Sequence, residues 1–166
     1  MKIEEVRFLF EYHYWARDII LAGVGKLTPG QYLETHEYCQ ASVGSILVHL
    51  LSAEWIWRVR VQEQVYPTRQ FSLADLPTLA ALQERWRQQE TALRGYLGSL
   101  DDPDLEQKVR YQSKDGLWQE NILWRVLLHV VNHATEHRGI LAMYLTGYGF
   151  SPGDLDLAYF ARLKGV

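Results

Sequence analysis

The residues best suited to chemistry in this chain are histidines. His129, His133 and His137 follow one another at intervals of four, and residues four apart on a helix project from the same face one turn apart. Imidazole is largely neutral at pH 7 and has a lone pair to give, so such a pair can chelate a single ion. At about 100° per residue, Val126, Val130, His133, His137, Ile140 and Tyr144 fall in one sector roughly 80° wide, with His133 and His137 straddling its middle. His129 lies about 60° from that centre, which makes it the weaker ligand candidate. An earlier segment groups Ser42, Ile46, His49, Ala53 and Ile56 on one helical face, so His49 points inward from a different element and can meet the pair.

Three inward imidazoles at one level would compete for few protein acceptors, and a buried imidazole is costly unless its nitrogens are satisfied. One divalent metal ion on His49, His133 and His137 resolves that problem. Three protein ligands leave a tetrahedral ion one position short, the mark of a reactive rather than a structural site. Ligand type alone suits zinc, nickel, copper or iron. Cys39 is the only cysteine, which excludes an intrachain disulfide and a cysteine knuckle, and nothing around it marks an acidified thiol. Asn132, Glu136 and Asp156 are candidates for orienting the ligands or handling protons, although Glu136 and Arg138 read more simply as solvated helix residues. His13 and His36 read as surface or packing residues; Trp15, Trp55 and Trp57 could form a ligand pocket or dimer contact but read more simply as packing aromatics.

The elements that must position these side chains are helices. Apolar spacing predicts a first helix from Ile3 to about Leu27, stopped by Thr28-Pro29-Gly30. Ser42 is a plausible N-cap for a second, carrying His49 and ending near Val65 because Pro67 disfavours helix before it. A third starts near Asp75 or Pro77 and runs to Gly98. Val109 and Tyr111 then alternate with polar residues before a Lys114-Asp115-Gly116 turn, which predicts a short hairpin. The last long helix spans Glu120 to Thr146 and ends at Gly147, and Asp154 to Leu163 adds one or two helical turns. The fold class is therefore all-α: a four-helix bundle in one domain over residues 1–166, with a short β-hairpin before the last long helix.

Composition sets the outer bounds. The 166 residues are 48% hydrophobic with Trp 6, Tyr 10 and Phe 5, enough apolar surface for a substantial core. A formal net charge of -3 without a basic block argues against nucleic acid as a partner. The acidic pair Glu4-Glu5 interrupts any leader-like apolar run, and no segment approaches a membrane span, so a cytoplasmic protein is expected.

Three stretches resemble the DinB/YfiT-like family of metal-binding helix bundles. Tyr12-His13-Tyr14-Trp15-Ala16 is similar to its aromatic motif. The segment from His49 to Trp57 resembles its histidine followed by an acidic and aromatic cluster. The run from His129 to Gly139 is similar to its most specific signature. The tail Pro152-Gly153-Asp154-Leu155-Asp156-Leu157 also fits, so the likeness spans almost the whole chain. The resemblance implies a bundle with one long crossover, a triad falling on His49, His133 and His137, one divalent ion (zinc or nickel), and a homodimer acting on a small-molecule ligand. Members with assigned activity include bacillithiol- and mycothiol-dependent transferases and isomerases. An all-histidine triad is closer to the bacillithiol type, which implies a thiol S-transferase with a low-molecular-weight thiol as cosubstrate. A metal-dependent hydrolase and a non-enzymatic stress-response module with a stabilising metal are the alternatives.

Overall fold

The computed structural model describes residues 1–36, 40–113 and 115–166. Glu37 and Cys39, and Lys114 of the expected turn, therefore lie outside the described residues. In chain order the elements are α1 (Ile3–Val24), α2 (Pro29–Leu33), α3 (Val43–Arg58), α4 (Leu79–Gly98), β1 (Lys108–Gln112), β2 (Trp118–Ile122), α5 (Leu123–Gly147) and α6 (Leu157–Lys164). The protein is mostly helical with one two-stranded antiparallel sheet. No helix among the described residues is long and apolar enough to cross a membrane.

Local chemistry sets the boundaries. Thr28-Pro29 ends the first helical segment and also starts the next: Thr28 Oγ1 caps α2 by accepting from Gln31 N, with Pro29 in the first turn, where its missing N–H costs nothing. Ser42 caps α3, as its sequence position predicts. Gly44 lets α2 lie against α3, since a Cβ there would stand 2.6 Å from Tyr32 Cε1. The second long helix is regular only to Arg58 and continues as a π-helical turn, Val59–Glu63, closed by Gln64 at φ 55°. The next begins at Leu79, later than Pro77, because Thr78 supplies the cap to Ala81 N.

The expected hairpin is present, but its second strand takes residues that helical spacing assigns to the last long helix. Trp118–Ile122 pair with Gln112–Lys108, and α5 starts only at Leu123, whose N–H donates to Gln107 O. The ladder outcompetes one further helical turn.

α5 packs on both α1 and α3, and α3 packs on α4. Between these helices sits a polar knot. Glu54 of α3 is 2% exposed, and three donors converge on its carboxylate: His13 Nε2 at 3.0 Å, Trp86 Nε1 at 2.9 Å and Tyr14 Oη at 2.9 Å. Arg138 of α5, 3% exposed, donates from Nη1 to His13 Nδ1 at 3.0 Å and from Nη2 to Thr135 Oγ1 at 2.8 Å. Because an arginine can only donate, Nδ1 of His13 is the acceptor and Nε2 carries the proton given to Glu54. The solvated reading of Arg138 is thus wrong, and His13 is buried within this network rather than on the surface.

The knot joins α1, α3, α4 and α5. Glu54→Gln replaces an acceptor oxygen by an NH2 group among converging donors and removes the anion that balances Arg138. It should destabilise the protein by about 3 kcal/mol, as expected for one broken partner of a buried charged network, measured by urea denaturation.

Candidate metal centre

The site forms where α3 and α5 face each other. His49 and His133 approach to 3.1 Å between their Nε2 atoms. Ring centroids are 5.0 Å apart for His49 and His133, 4.8 Å for His49 and His137, and 4.6 Å for His133 and His137. One nitrogen from each ring lies within 4.8 Å of the others, and all three side chains are half-buried. The three histidines selected from helical spacing therefore lie close enough to hold one metal ion.

The donor set fits such an ion. Two nitrogens bound tetrahedrally at about 2.0–2.1 Å stand roughly 3.3 Å apart, near the observed 3.1 Å. His137 Nδ1 is buried and has no hydrogen-bond partner among the described residues, so the imidazole retains bonding capacity that the surrounding protein does not use. Burial lowers the pKa of His137, and the nearby Glu136 charge opposes this only in part. The ring is thereby kept in the neutral form that a metal requires.

His129 stands apart, as its angular offset predicts. Its ring meets Trp57 edge-on at 5.4 Å and lies 5.8 Å from His133, and burial lowers its pKa. It lines the approach rather than the triad. Of the residues expected to assist, Asn132 and Glu136 are exposed, and Asp156 caps α6 by accepting from Ala158 N at 2.6 Å. Trp57 does more than pack: besides His129 it touches Tyr111 of β1 at 4.9 Å. His36 stacks on Tyr144 at 3.8 Å and shares a hydrogen bond with Tyr148 Oη, a packing role.

A cavity of about 320 Å³ opens beside the triad, its lining including His49, His133, Trp57, His129 and Tyr111. It falls in the range of small-molecule sites, about 300–1,000 Å³. Sequence reasoning did not find Glu54, His13 and Arg138 as a unit, although all three lie inside the motifs that carry the family resemblance.

A helical framework that brings three histidines close enough to hold an ion, beside an open cavity, defines a class of helical protein with a candidate metal site. Within it the assignment is specific: the DinB family model matches residues 3–164, and the chain belongs to the DinB family. A comparison with curated proteins finds no match.

The buried histidines dictate a pH response. Burial is the largest cause of the lowered pKa of His13; its bond and attraction to Glu54 oppose this, and the Arg138 and Arg17 charges reinforce it. A folded-state pKa below the unfolded value, about 6.5, means that the unfolded chain binds the proton first as pH falls. Stability is therefore full above that value and declines below it, by up to about 1.4 kcal/mol per pH unit per proton. Chelator-treated protein should lose stability between pH 7 and 5, and His13→Gln should flatten that slope by the share of one proton in urea titrations at each pH.

Proposed function

We propose that this protein is a divalent-metal-dependent enzyme, most concretely a thiol S-transferase, built on a four-helix bundle whose α3 and α5 supply the ligands His49, His133 and His137. The observation that carries the reading is the three-histidine cluster with a ligand-sized cavity against two of its members, His49 and His133. Zinc or nickel is the expected ion, and the ligand set leaves it a free coordination position.

When bound, such an ion supplies Lewis acidity and lowers the pKa of a thiol presented to it, creating the nucleophile at neutral pH. The chain's own residues do the remaining work. The triad fixes the point at which the sulfur is presented. Trp57, Tyr111 and Ile56 form the apolar part of the cavity wall and hold the organic part of the electrophile close, so that reaction becomes effectively unimolecular. Neutral His129, at the edge of the same cavity, is placed to accept or return a proton near the reacting groups.

Nickel or zinc added to chelated protein at about 100-fold its dissociation constant should stabilise the fold by about 2.7 kcal/mol, and His133→Ala should abolish this gain in thermal melts. Loaded protein should conjugate bacillithiol to members of an electrophile panel, with His133→Ala inactive. Absence of metal-dependent conjugation across the panel sinks the transferase reading. Ester hydrolysis without thiol, lost in the same variant, would assign the activated group as water.

A further inference from the structure

Arg60 stands out among the chain's cationic side chains. It makes no ion pair among the described residues, while its neighbour Arg58 is held by Gln89, Gln62 and Glu63. The Arg60 guanidinium lies over the rings of Trp57 at 4.9 Å and Tyr111 at 5.9 Å. Its Nη2 donates to Gln112 O at 3.3 Å. Its Nε is buried and has no acceptor among the described residues, an unmet donor that calls for an explanation.

Arg60 also has a defined place relative to the triad. Residues 49, 53, 56 and 60 follow the i, i+4, i+7, i+11 spacing of one helical face, and His49, Ala53, Ile56 and Arg60 all line the cavity beside the triad. At 1.5 Å per residue, Arg60 sits about 16 Å further along that face than His49, and helical side chains lean back toward the N-terminal end. Arg60 also lines a second cavity of about 340 Å³, bounded by Tyr66, Thr68 and Gln70, which shares Ile56, Gln70, Gln112 and Ser113 with the first. The two form one cleft, with the histidines in one part and a planar cation where the parts meet. The residue sits in the π-helical turn Val59–Glu63, and such turns recur at functional sites.

We infer that Arg60 is the anchor for the carboxylate of a small anionic substrate whose other end reaches the three histidines. The inference rests on the triad being the reacting centre. A carboxylate suits the fork of a guanidinium, which binds it through paired N–H donors. Arg69 also lines the outer cavity, but Asp75 balances its charge, and the other polar residues shared by the two cavities are neutral, Gln70, Gln112 and Ser113. Arg60 is thus the cleft cation with no carboxylate partner among the described residues, and a single negative charge matches it better than a phosphate dianion. Trp57 and Tyr111 give the carbon skeleton a flat apolar wall.

Two independent readouts test the assignment. On cobalt-loaded protein, sulfur-to-cobalt absorption reports binding of 3-mercaptopropionate and of its uncharged analogue 3-mercaptopropan-1-ol. On chelated protein, ligand-observed NMR compares 3-phenylpropionate with 3-phenylpropanamide. In both, the wild type should favour the acid by about tenfold or more. Arg60→Gln should erase the preference while leaving cobalt affinity, binding of the uncharged ligand and the melting temperature unchanged, and Arg60→Lys should restore part of it. Equal binding of acid and neutral analogue by the wild type, or a preference that survives in Arg60→Gln, overturns the assignment. Displacement of the acid by inorganic phosphate at lower concentration than by acetate overturns the choice of carboxylate. Failure of cobalt to bind while the NMR preference holds overturns the metal reading alone, and the converse overturns the anchor alone.

Discussion

Glu54 is ionised in a place with almost no access to water, and the orientation of the site depends on how that charge is satisfied. Burial pushes its carboxyl pKa upward, but donation from His13, Trp86 and Tyr14, with the attraction of His13, outweighs burial and leaves it lowered. The carboxylate thereby ties α1, α3 and α4 together, and the His13 ring transmits the tie to Arg138 on α5. Glu54 is five residues beyond His49, about 140° around the same helix, and Arg138 is one residue beyond His137. Fixing the rotation of α3 and α5 through their buried charges therefore fixes which way the ligand side chains face. An apolar core of the same volume would tolerate small rotations of each helix. A network with defined donors and one tautomer does not, because each rotation leaves a buried polar group unpaired.

The same rigidity explains how three imidazoles can stand together. Clustered histidines repel one another once protonated, and the burial that lowers the pKa of His137 keeps it neutral near pH 7. Neutral rings with lone pairs held in place are what a divalent ion needs, since its binding otherwise has to displace protons. The cost of keeping His137 Nδ1 buried without a partner is met by the folded framework, which draws its stability from elsewhere: the apolar contacts of α1 and α5 and of α3 and α4.

Much of this arrangement is legible in the sequence because it follows one period. The 100° step placed His49, His133 and His137 inward and set His129 aside, and the four long helices and the hairpin follow from apolar spacing and turn residues. What the period cannot show is pairing between distant positions. Arg138 sits in the polar run Glu136-His137-Arg138 and reads as solvated, because its partner His13 lies 125 residues away. Glu54, inside an aromatic stretch, carries no local sign of the three donors that make its burial tolerable. Trp118 to Ile122 lacks strand alternation, and its strand state depends on β1. The π-helical turn after Arg58 likewise has no signature in residue spacing.

The division between what is rigid and what is local carries a consequence for specificity. The triad is held by the two long helices clamped through Glu54 and Arg138, whereas the outer cleft is lined by Arg60 in the π turn, by the connection that includes Tyr66 to Gln70, and by Gln112 and Ser113 at the end of β1. That connection is itself fastened to α3 and β1, with Phe71 N–H donating to Ser52 Oγ at 3.0 Å and Tyr66 Oη donating to Arg110 O at 3.2 Å, so the wall has a defined shape without sharing the central polar network. Residues of the wall can change without disturbing the groups that orient the histidines, because changes far apart with no shared partners act nearly independently. In such a layout the metal chemistry proposed for the triad would belong to the helical framework, and the proposed choice of substrate to the segments between the helices.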